Sequence, residues 1–586
     1  MRGRQTTKTD RPSYRRGIFP APYPRISILN KPLPARLVTL EFASLPVVRL
    51  SYACGAVVPL LEKTISQALR DAAAKFPGRD ALVVRHQNIR MTWREMDAEA
   101  TRVARGLAGL GLRAGDRAGI WASNCAEWVL LQHAAARSGV VLVNVNPAYR
   151  SYELRYVLRK SRIRALFLHE KDARASYRDI LEESRAGETL ELEHVVWLGT
   201  DSWEAMLAAG ADFSERTVGP HDVANIQYTS GTTGSPKGVM LTHHNLLNNG
   251  VGMAMGLKAT EHDRICAPVP LYHCFGSVIG SMVSLSSGAA LILPSAQFDA
   301  RATLEAVHAE RATALYGVPT MFIAQLTHPE FDRFDLTSLR TGVMAGAPCP
   351  IETMRRVVER MHVPELTIVY GQTETSPGLT MSAADDPLEL RVTTVGKPLP
   401  NTEIQIVDPR SGTHLPIGES GELCARGYMV MKGYDQDQAA TEAVIDAEGW
   451  LHTGDLAAMR PDHYFSFRGR AKDTIIRGGE NIYPREVEEF LHTHPAIADV
   501  YVVGLPDAKL GETVLAWIQL EPGATATEDD IRNFCRGKIA YFKIPQFIRF
   551  VDSFPMTVTK KVQKFLMREQ EIRERGLEDV AREATA

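Results

Sequence analysis

Residues 228–239 read YTSGTTGSPKGV, a segment rich in glycine and hydroxyl side chains that contains one lysine. It follows the apolar strand pattern ANIQ and precedes the helical pattern THHNLLNNG. Glycines allow the backbone to turn its N–H groups toward one point, where they bind anionic oxygen, and hydroxyl groups add further donors. Lys237 adds a mobile positive charge. The segment therefore predicts a polyphosphate-binding loop between a strand and a helix of an α/β fold.

The spacing within this loop excludes a Walker A motif. That motif requires Gly-x-x-x-x-Gly-Lys, whereas Ser235 and Pro236 separate Gly234 from Lys237. A flexible Ser/Gly linker is the alternative interpretation, and the flanking strand and helix patterns argue against it. The predicted phosphate contacts are Thr229, Ser230, Gly231, Thr232, Thr233, Gly234 and Lys237.

The segments around the loop indicate an α/β architecture. From about residue 60 the chain alternates helical and strand patterns, which is typical of parallel sheets. One helical face carries Met96, Ala100, Val103, Leu107 and Leu110 at the spacing of an amphipathic helix. We expect a large N-terminal domain of doubly wound sheets.

The pattern changes twice toward the C-terminus. After about residue 400, strands follow one another with Gly-rich turns, which predicts a small β-rich subdomain. After GRAKD (469–473), helices expected to begin near Pro484 and Thr527 alternate with strands, which predicts a small α+β C-terminal domain. The predicted divisions are a basic extension over 1–55, an N-terminal domain over 56–471, a C-terminal domain over 472–570 and a tail over 571–586.

The composition narrows the function classes. The 586 residues are 45% apolar and 23% charged, as in ordinary globular proteins. The net charge of −2 gives no electrostatic case for nucleic acid or an anionic membrane, and no apolar run approaches the roughly 18–20 residues that span a bilayer. Seven scattered cysteines include no CxxC pair, which argues against a zinc site built from cysteine pairs and for a reducing compartment. We expect a cytoplasmic location.

The first 36 residues differ from the rest of the chain. They hold nine Lys/Arg and six Pro, and Asp10 is their one acidic residue. This composition buries little apolar surface and predicts disorder. An Arg-rich, acid-poor start is typical of a mitochondrial transit peptide, which would imply the mitochondrial matrix, but the prolines disfavour the amphipathic helix that such a peptide needs. A non-functional extension is the favoured interpretation.

Six further segments, taken together with the phosphate loop, resemble the motifs of one enzyme family. The segments are PLYHCFG (270–276), AGAP (345–348), YGQTETS (370–376), GWLHTGD (449–455), GRAKDTIIRGGENIYPREVE (469–488) and FPMTVTKKVQKF (554–565). Together they resemble the adenylate-forming superfamily of acyl-CoA synthetases, luciferases and peptide-synthetase adenylation domains, over about residues 60–570. VTKKVQKFLMREQ most resembles the medium-chain fatty acid–CoA ligases. The resemblance implies an AMP-binding N-terminal domain and a mobile C-terminal domain.

The resemblance implies a reaction in two halves and a role for each motif. A carboxylate attacks the α-phosphorus of ATP and releases pyrophosphate, and a thiol then attacks the acyl-adenylate and releases AMP. Glu374 would hold Mg²⁺, Thr373 would donate to the α-phosphate, and Asp455 would accept both ribose hydroxyls. The other implied nucleotide contacts are Gly346, Ala347, Pro348, Tyr370, Gly371, Gln372 and Arg470.

The C-terminal motifs are expected to act after a rotation of the domain about Lys472. Gly478 and Gly479 would then line the path of the coenzyme A thiol, and Lys543 would reach its phosphates. The family's catalytic lysine aligns with Lys561, whose ammonium would bridge the attacking carboxylate and the α-phosphate. Lys560 departs from the family, which has glycine at this position. His273 would gate the acyl pocket near the thiol, while a buried structural histidine is the alternative.

The acyl pocket is expected to be apolar, with Tyr272, Val318, Met321 and Gly378 among its residues. No aspartate lies where amino-acid-activating relatives hold a substrate ammonium, so an aliphatic acid is favoured over an amino acid. Glycines and alanines in the stretches around the pocket residues leave depth for a medium to long chain, and free coenzyme A is the expected acceptor. An aryl acid–CoA ligase and an acyl-AMP ligase that loads a carrier protein are alternatives within the superfamily. A catalytically inactive nucleotide-binding protein is the alternative of another class. The sequence does not fix the oligomeric state.

Overall fold

The computed structural model describes residues 49–172, 175–187, 189–211, 218–229, 236–347, 349, 351–477, 480–507, 509–556 and 562–583. These residues form the predicted α/β fold, with a large N-terminal part of two mixed sheets, a β-rich subdomain and a small C-terminal α+β domain. None of the helices in the described ranges combines the length and the hydropathy needed to cross a bilayer.

A seven-stranded sheet carries the predicted phosphate loop. Its strands, in spatial order, are Gly433–Tyr434, Lys237–Thr242, Val223–Thr229, Val141–Asn144, Arg117–Trp121, Ile163–Leu168 and His194–Trp197. The last five run parallel. The helices of this half of the domain are Trp93–Gly109, Ala126–Ser138, Ser151–Lys160, Tyr177–Arg185, Asp201–Ala208 and His243–Gly256. In the first of them Met96, Ala100, Val103 and Leu107 are buried, as their spacing predicts.

A nine-stranded sheet carries the predicted motifs AGAP (345–348) and YGQTETS (370–376). Its strands, in spatial order, are Lys397–Pro398, Gly378–Met381, Glu365–Gly371, Thr341–Ala345, Ala314–Gly317, Arg264–Cys266, Ala290–Leu293, Asp80–Val84 and Ile89–Thr92. The six strands from Glu365–Gly371 to Asp80–Val84 are parallel. The helices are Ile65–Lys75, Ser281–Ser287, Ala300–Glu310, Pro319–Leu326, Ile351–Arg360 and Leu388–Thr393, with a π-helix at Phe275–Gly280.

The phosphate loop joins two strands, and the predicted helix follows the second of them. Lys237–Thr242 pairs antiparallel with Val223–Thr229, and the helix begins only at His243. The segment KGVMLT prefers a strand because Val239 and Leu241 recur with period two and are both fully buried. Thr242 ends the strand and caps the helix by accepting from the Asn245 N–H.

The β-rich subdomain is a five-stranded sheet that also includes a strand from the start of the described chain. Its strands, in spatial order, are Tyr52–Cys54, Thr402–Val407, Ser420–Gly427, Leu451–Met459 and Phe465–Arg470, with one helix at Gln438–Glu442. Tyr52–Cys54 corrects the predicted extension over 1–55, because it fills the open edge of strand Thr402–Val407. The Tyr52 hydroxyl donates to Glu403 Oε2 over 2.7 Å, so the strand is fixed by side chains as well.

The C-terminal domain has the predicted α+β composition. Its strands are Ile475–Arg477, Glu480–Ile482, Ile497–Asp507, Gly511–Leu520 and Phe547–Phe550, and its helices are Pro484–Leu491, Glu528–Cys535, Lys564–Glu574 and Glu578–Glu583. Pro484 is the first helical residue and Thr527 forms a capping box with Asp530, as predicted.

The predicted tail over 571–586 is wrong at its start, because Glu571 belongs to the core of this domain. Glu571 is 1% exposed and accepts from Trp517 Nε1 over 2.9 Å. Its carboxylate also lies 3.0 Å from Arg549 Nη1 and 2.7 Å from Arg575 Nε. A buried carboxylate needs such partners, and here they hold helix Lys564–Glu574 onto the sheet.

We therefore predict that Glu571→Ala destabilises the C-terminal domain by about 2 kcal/mol, because it leaves the buried indole N–H of Trp517 without its acceptor and removes a carboxylate partner from the half-buried Arg549 and Arg575. The measurement is hydrogen exchange of peptides from strand Gly511–Leu520 in the whole protein. Glu569→Ala, on the exposed face of the same helix, is the control and should leave protection unchanged. Equal protection in the two variants would contradict the role of Glu571.

Candidate active site

Three predicted motifs meet at the carboxyl edge of the nine-stranded sheet. Strands Ala314–Gly317, Thr341–Ala345 and Glu365–Gly371 are adjacent and parallel, so the residues that follow them lie side by side. Val318 follows the first strand, and Gly346 and Ala347 follow the second, both exposed to solvent. Gly346 has φ +85°, a conformation that favours glycine. Pro348 lies outside the described residues.

The third strand ends in a bulge that turns Glu374 into the site. The register shifts between Tyr370 and Gly371, and a Cβ at Gly371 would lie 1.8 Å from the Pro377 carbonyl oxygen. A 3₁₀ turn over Thr373–Thr375 follows, in which Thr373 is buried and Glu374 half-buried. Gln372 begins this turn and its N–H donates to Thr375 Oγ1 over 3.0 Å.

Lys237 and Glu374 stand on either side of one tyrosine. The ammonium of Lys237 lies 4.9 Å from the centroid of the Tyr434 ring, and the Tyr434 hydroxyl donates to Glu374 Oε1 over 3.0 Å. Burial and the Glu374 carboxylate raise the pKa of Tyr434. Tyr434 pairs with Val239 across the edge of the seven-stranded sheet. Sequence reasoning missed Tyr434, since a tyrosine after glycine is too common to stand out.

Only the ends of the phosphate loop can be described. Thr229 and Lys237 are paired in the hairpin register and mark the two ends of its tip. Ser230, Gly231, Thr232, Thr233 and Gly234 lie outside the described residues.

Asp455 forms a second polar centre with the predicted residues Tyr370 and Arg470. Arg470 lies directly opposite Asp455 on the next strand, with its Nε 3.5 Å from Asp455 Oδ1. The Tyr370 hydroxyl donates to Asp455 Oδ2 over 2.8 Å, and the Tyr370 ring lies 5.6 Å from that of Phe467. Burial raises the pKa of Asp455, against the opposing effects of Arg470 and Tyr370.

Glu422 supports the turn that carries Asp455. Its Oε1 accepts from the Gly454 N–H over 3.0 Å, and its Oε2 lies 2.8 Å from His452 Nδ1. The Asp455 N–H donates to Thr453 Oγ1 over 3.1 Å. Sequence reasoning missed Glu422 because it reaches this turn from a neighbouring strand.

The segment PLYHCFG packs against the turn that holds Thr373. The Cys274 sulfur lies 3.7 Å from Thr373 Oγ1 and 3.6 Å from His273 Nδ1. His273 is half-buried, and its Nδ1 accepts from the Phe275 N–H over 3.2 Å. The π-helix begins at Phe275, an irregularity that is frequent at functional sites.

Of the predicted acyl-pocket residues, three fit an apolar lining and one does not. Tyr272 and Val318 are half-buried and Met321 is buried, and Val318 Cγ1 lies 3.2 Å from where a Cβ of Gly346 would stand. Gly378 instead packs under helix His243–Gly256, where a Cβ would meet Leu399, Met253 and Asn249 at 3.0–3.1 Å. Close helix packing therefore explains this glycine, and we remove it from the pocket.

The structure describes only some of the predicted site residues of the C-terminal domain. Lys472 lies in a 3₁₀ turn over Ala471–Asp473, and burial lowers its pKa. Lys543 Nζ lies 2.5 Å from Glu486 Oε1, so its charge is paired within the domain. Lys564 pairs with buried Glu488 at 2.6 Å, in agreement with a structural role. Gly478, Gly479, Lys560 and Lys561 lie outside the described residues.

The comparisons with known proteins agree with this geometry. The chain matches the AMP-binding enzyme family over residues 69–435 and the AMP-binding enzyme C-terminal domain over 486–561. It is 46% identical to the putative acyl-CoA synthetase YngI of Bacillus subtilis (strain 168), over 88% of this chain and 98% of that one. It is 42% identical to the mitochondrial medium-chain acyl-CoA ligase ACSF2 of Bos taurus, over 90% of both chains.

Among solved structures, ATP-bound MatB from Rhodopseudomonas palustris superposes with a TM-score of 0.79 at 30% identity, over 87% of this chain and 99% of that one. The sequence motifs, the two-domain fold and the matches over most of the chain agree. The chain belongs to the AMP-binding enzyme family of the adenylate-forming superfamily.

Proposed function

We propose that the protein is an ATP-dependent acyl-CoA synthetase that activates a fatty acid as acyl-AMP and transfers the acyl group to coenzyme A. The observation that carries the proposal is the convergence of Lys237, Glu374 and Asp455 around the carboxyl edge of the nine-stranded sheet. The residues proposed to bind the anion and the nucleotide are all present in the sequence, which argues against an inactive nucleotide-binding protein.

In the first half-reaction an oxygen of the fatty carboxylate bonds to the α-phosphorus of ATP, and the bond from that phosphorus to the bridging oxygen breaks to release pyrophosphate. Both reactants are anionic, so alignment and charge neutralisation supply most of the catalysis. Lys237 and the loop from Thr229 to Gly234 would hold the β- and γ-phosphates. Thr373 would donate to the α-phosphate, and the Lys561 ammonium would bridge it to the attacking carboxylate.

Glu374 fits the Mg²⁺ that this reaction requires. Its carboxylate is half-buried, accepts one neutral hydroxyl from Tyr434 and forms no ion pair with another described residue. Such an oxygen ligand suits a hard cation that also takes phosphate oxygens. When bound, Mg²⁺ neutralises part of the triphosphate charge.

Asp455 would take the ribose. It is 6% exposed, and its carboxylate already holds the Tyr370 hydroxyl and Arg470. Burial deprives the carboxylate of water as a hydrogen-bond donor. The two ribose hydroxyls would donate to it instead. Gly346 and Ala347, with Pro348 beyond them, would lie against the adenine, with Gly371 and Gln372 beside it.

In the second half-reaction the coenzyme A thiol attacks the acyl carbonyl, and the bond from that carbon to the AMP oxygen breaks. The C-terminal domain would rotate about Lys472 against the N-terminal domain, bringing Gly478 and Gly479 to the thiol's path. Lys543 would exchange Glu486 for a phosphate of coenzyme A. His273 would lie beside the reacting carbonyl.

The acid is proposed from the lining and from the relatives. Tyr272, Val318 and Met321 are apolar or aromatic, and ACSF2 is named a medium-chain ligase. We propose a medium- to long-chain fatty acid as the substrate, with an aryl acid as the alternative. A carrier protein is the alternative to coenzyme A as the acceptor. Six of the seven cysteines are buried free thiols, which suits the cytoplasm. The mitochondrial matrix is the alternative compartment, since ACSF2 is named mitochondrial.

The test of this function is the release of AMP and pyrophosphate over fatty acids of graded chain length and over benzoate, with and without coenzyme A. We expect acid-dependent pyrophosphate release with AMP as product, a maximum at medium to long chains, and faster turnover with coenzyme A. ATP binding without acid-dependent pyrophosphate release would contradict the enzyme assignment, and ADP as product would indicate a phosphotransferase.

We predict that Tyr434→Phe slows acid-dependent pyrophosphate release about tenfold or more, because the charged carboxylate of Glu374 loses the hydroxyl group that donates to it. The half-saturating Mg²⁺ concentration should rise with it, since the unheld carboxylate is less well placed. Tyr434→Leu, which also removes the ring beneath Lys237, should raise the KM for ATP further.

Tyr464→Phe is the matched control for this prediction. The Tyr464 hydroxyl donates to Asp386 at 2.5 Å and its ring lies 4.5 Å from Lys397 Nζ, so it repeats the same arrangement away from the site. Wild-type rates and Mg²⁺ dependence in Tyr434→Phe would show that the contact has no role in positioning.

We predict that Lys561→Ala nearly abolishes acyl-adenylate formation but leaves thioester formation from supplied acyl-adenylate intact, because its charge is needed only at the α-phosphate. Single-turnover assays of each half-reaction provide the measurement. Lys560→Gly, which restores the family residue, is the neighbouring control and should retain or raise adenylation. Equal loss of both half-reactions in Lys561→Ala would count against the assignment.

A further inference from the structure

Three potential metal ligands lie together at the open end of the hairpin that carries the phosphate loop. Glu62 lies three residues before the first helix, His221 two residues before the first hairpin strand, and His244 two residues after the second. Backbone bonds already join the hairpin ends here, since the His244 N–H donates to the Pro220 carbonyl over 2.7 Å. The three side chains therefore come from segments whose positions are fixed.

Two of the spacings among the three side chains are close to those of ligands around a tetrahedral cation. Glu62 Oε2 lies 3.2 Å from His221 Nε2, and Glu62 Oε1 lies 3.3 Å from His244 Nε2. One ligand atom from each residue lies within 4.8 Å of the others. Ligands about 2.0–2.1 Å from a tetrahedral Zn²⁺ stand about 3.4 Å apart. Little movement would be needed to bind the ion.

His244 is the buried member of the three side chains. It is 7% exposed, and the contact of its Nε2 among the described residues is Glu62 Oε1 at 3.3 Å, outside hydrogen-bond geometry. The nitrogen and the carboxylate oxygen are placed as two ligands of a shared cation would be. The Tyr428 ring meets the imidazole edge-on, at 6.3 Å between centroids, and fixes its plane.

We propose that Glu62, His221 and His244 bind a divalent transition metal of the zinc type, with water as the fourth ligand. Imidazole favours Zn²⁺ over the oxygen-preferring Mg²⁺ of the active site. The ion would link both ends of the phosphate-loop hairpin to the segment that leads into the first helix.

The test is Zn²⁺ binding to the full-length, chelator-treated protein, by competition with a chromophoric zinc chelator and by Co²⁺ absorption. We expect His221→Ala to weaken Zn²⁺ binding at this site about 10-fold or more, and Zn²⁺ to raise the Tm of the wild type but not of this variant. The His221 side chain is 68% exposed, so its removal should not impair folding. His262→Ala is the control, because His262 is exposed and 3.5 Å from Glu261 without a third ligand among the described residues.

The cobalt spectrum separates this site from a second cluster, formed by Glu422, Cys424 and His452. A site of imidazole and carboxylate shows tetrahedral Co²⁺ bands without a thiolate charge-transfer band, and Cys424→Ser should leave these bands unchanged. Zn²⁺ binding no tighter in the wild type than in His221→Ala would overturn the proposal. A cobalt spectrum of thiolate type that persists in His221→Ala as the sole signal would also overturn it.

Discussion

The site depends on the reach of Tyr434 from one sheet to the other. Lys237 belongs to the seven-stranded sheet and Glu374 to the end of a strand in the nine-stranded sheet, so no local sequence feature brings them together. Pairing of Gly433–Tyr434 with the hairpin fixes the ring beneath Lys237, and the Tyr434 hydroxyl then fixes Glu374 at 3.0 Å. A cation and an anion are thereby held near each other without forming an ion pair. Under the proposed function, Lys237 would then be available for phosphate and Glu374 for a metal ion.

The proposed function accounts for the charges around this edge. The N-terminal part supplies two carboxylates, Glu374 and Asp455, of which Asp455 is buried and held by Tyr370 and Arg470. The nucleotide and the fatty acid would bring further negative charge, which a cation from the C-terminal domain would offset. Lys543 and Lys564 of that domain are paired with Glu486 and Glu488. We propose Lys561 for the role at the α-phosphate because the family resemblance implies it.

Sequence patterns predicted the parts of the fold that local chemistry determines. The proline that opens helix Pro484–Leu491 and the capping box at Thr527 follow from backbone rules. Patterns failed where partners lie far apart in the chain. Tyr52–Cys54 becomes a strand only because a sheet edge is open to it, and Glu571 is buried only because Trp517 needs an acceptor. Tyr434, Glu422 and the packing of Gly378 have the same origin, since each is defined by a residue on another strand or helix.

In the proposed reaction the fatty carboxylate attacks the α-phosphorus, while Lys237 and Glu374 hold the triphosphate. The direct measurement is oxygen transfer from a fatty acid labelled with ¹⁸O in its carboxylate, followed by mass spectrometry of the nucleotide after thioester formation. Because the attacking oxygen stays on phosphorus when the thiol cleaves the acyl–oxygen bond, we expect one ¹⁸O in AMP for each acid activated and none in pyrophosphate. Label in inorganic phosphate with ADP as co-product, or unlabelled AMP, would contradict it.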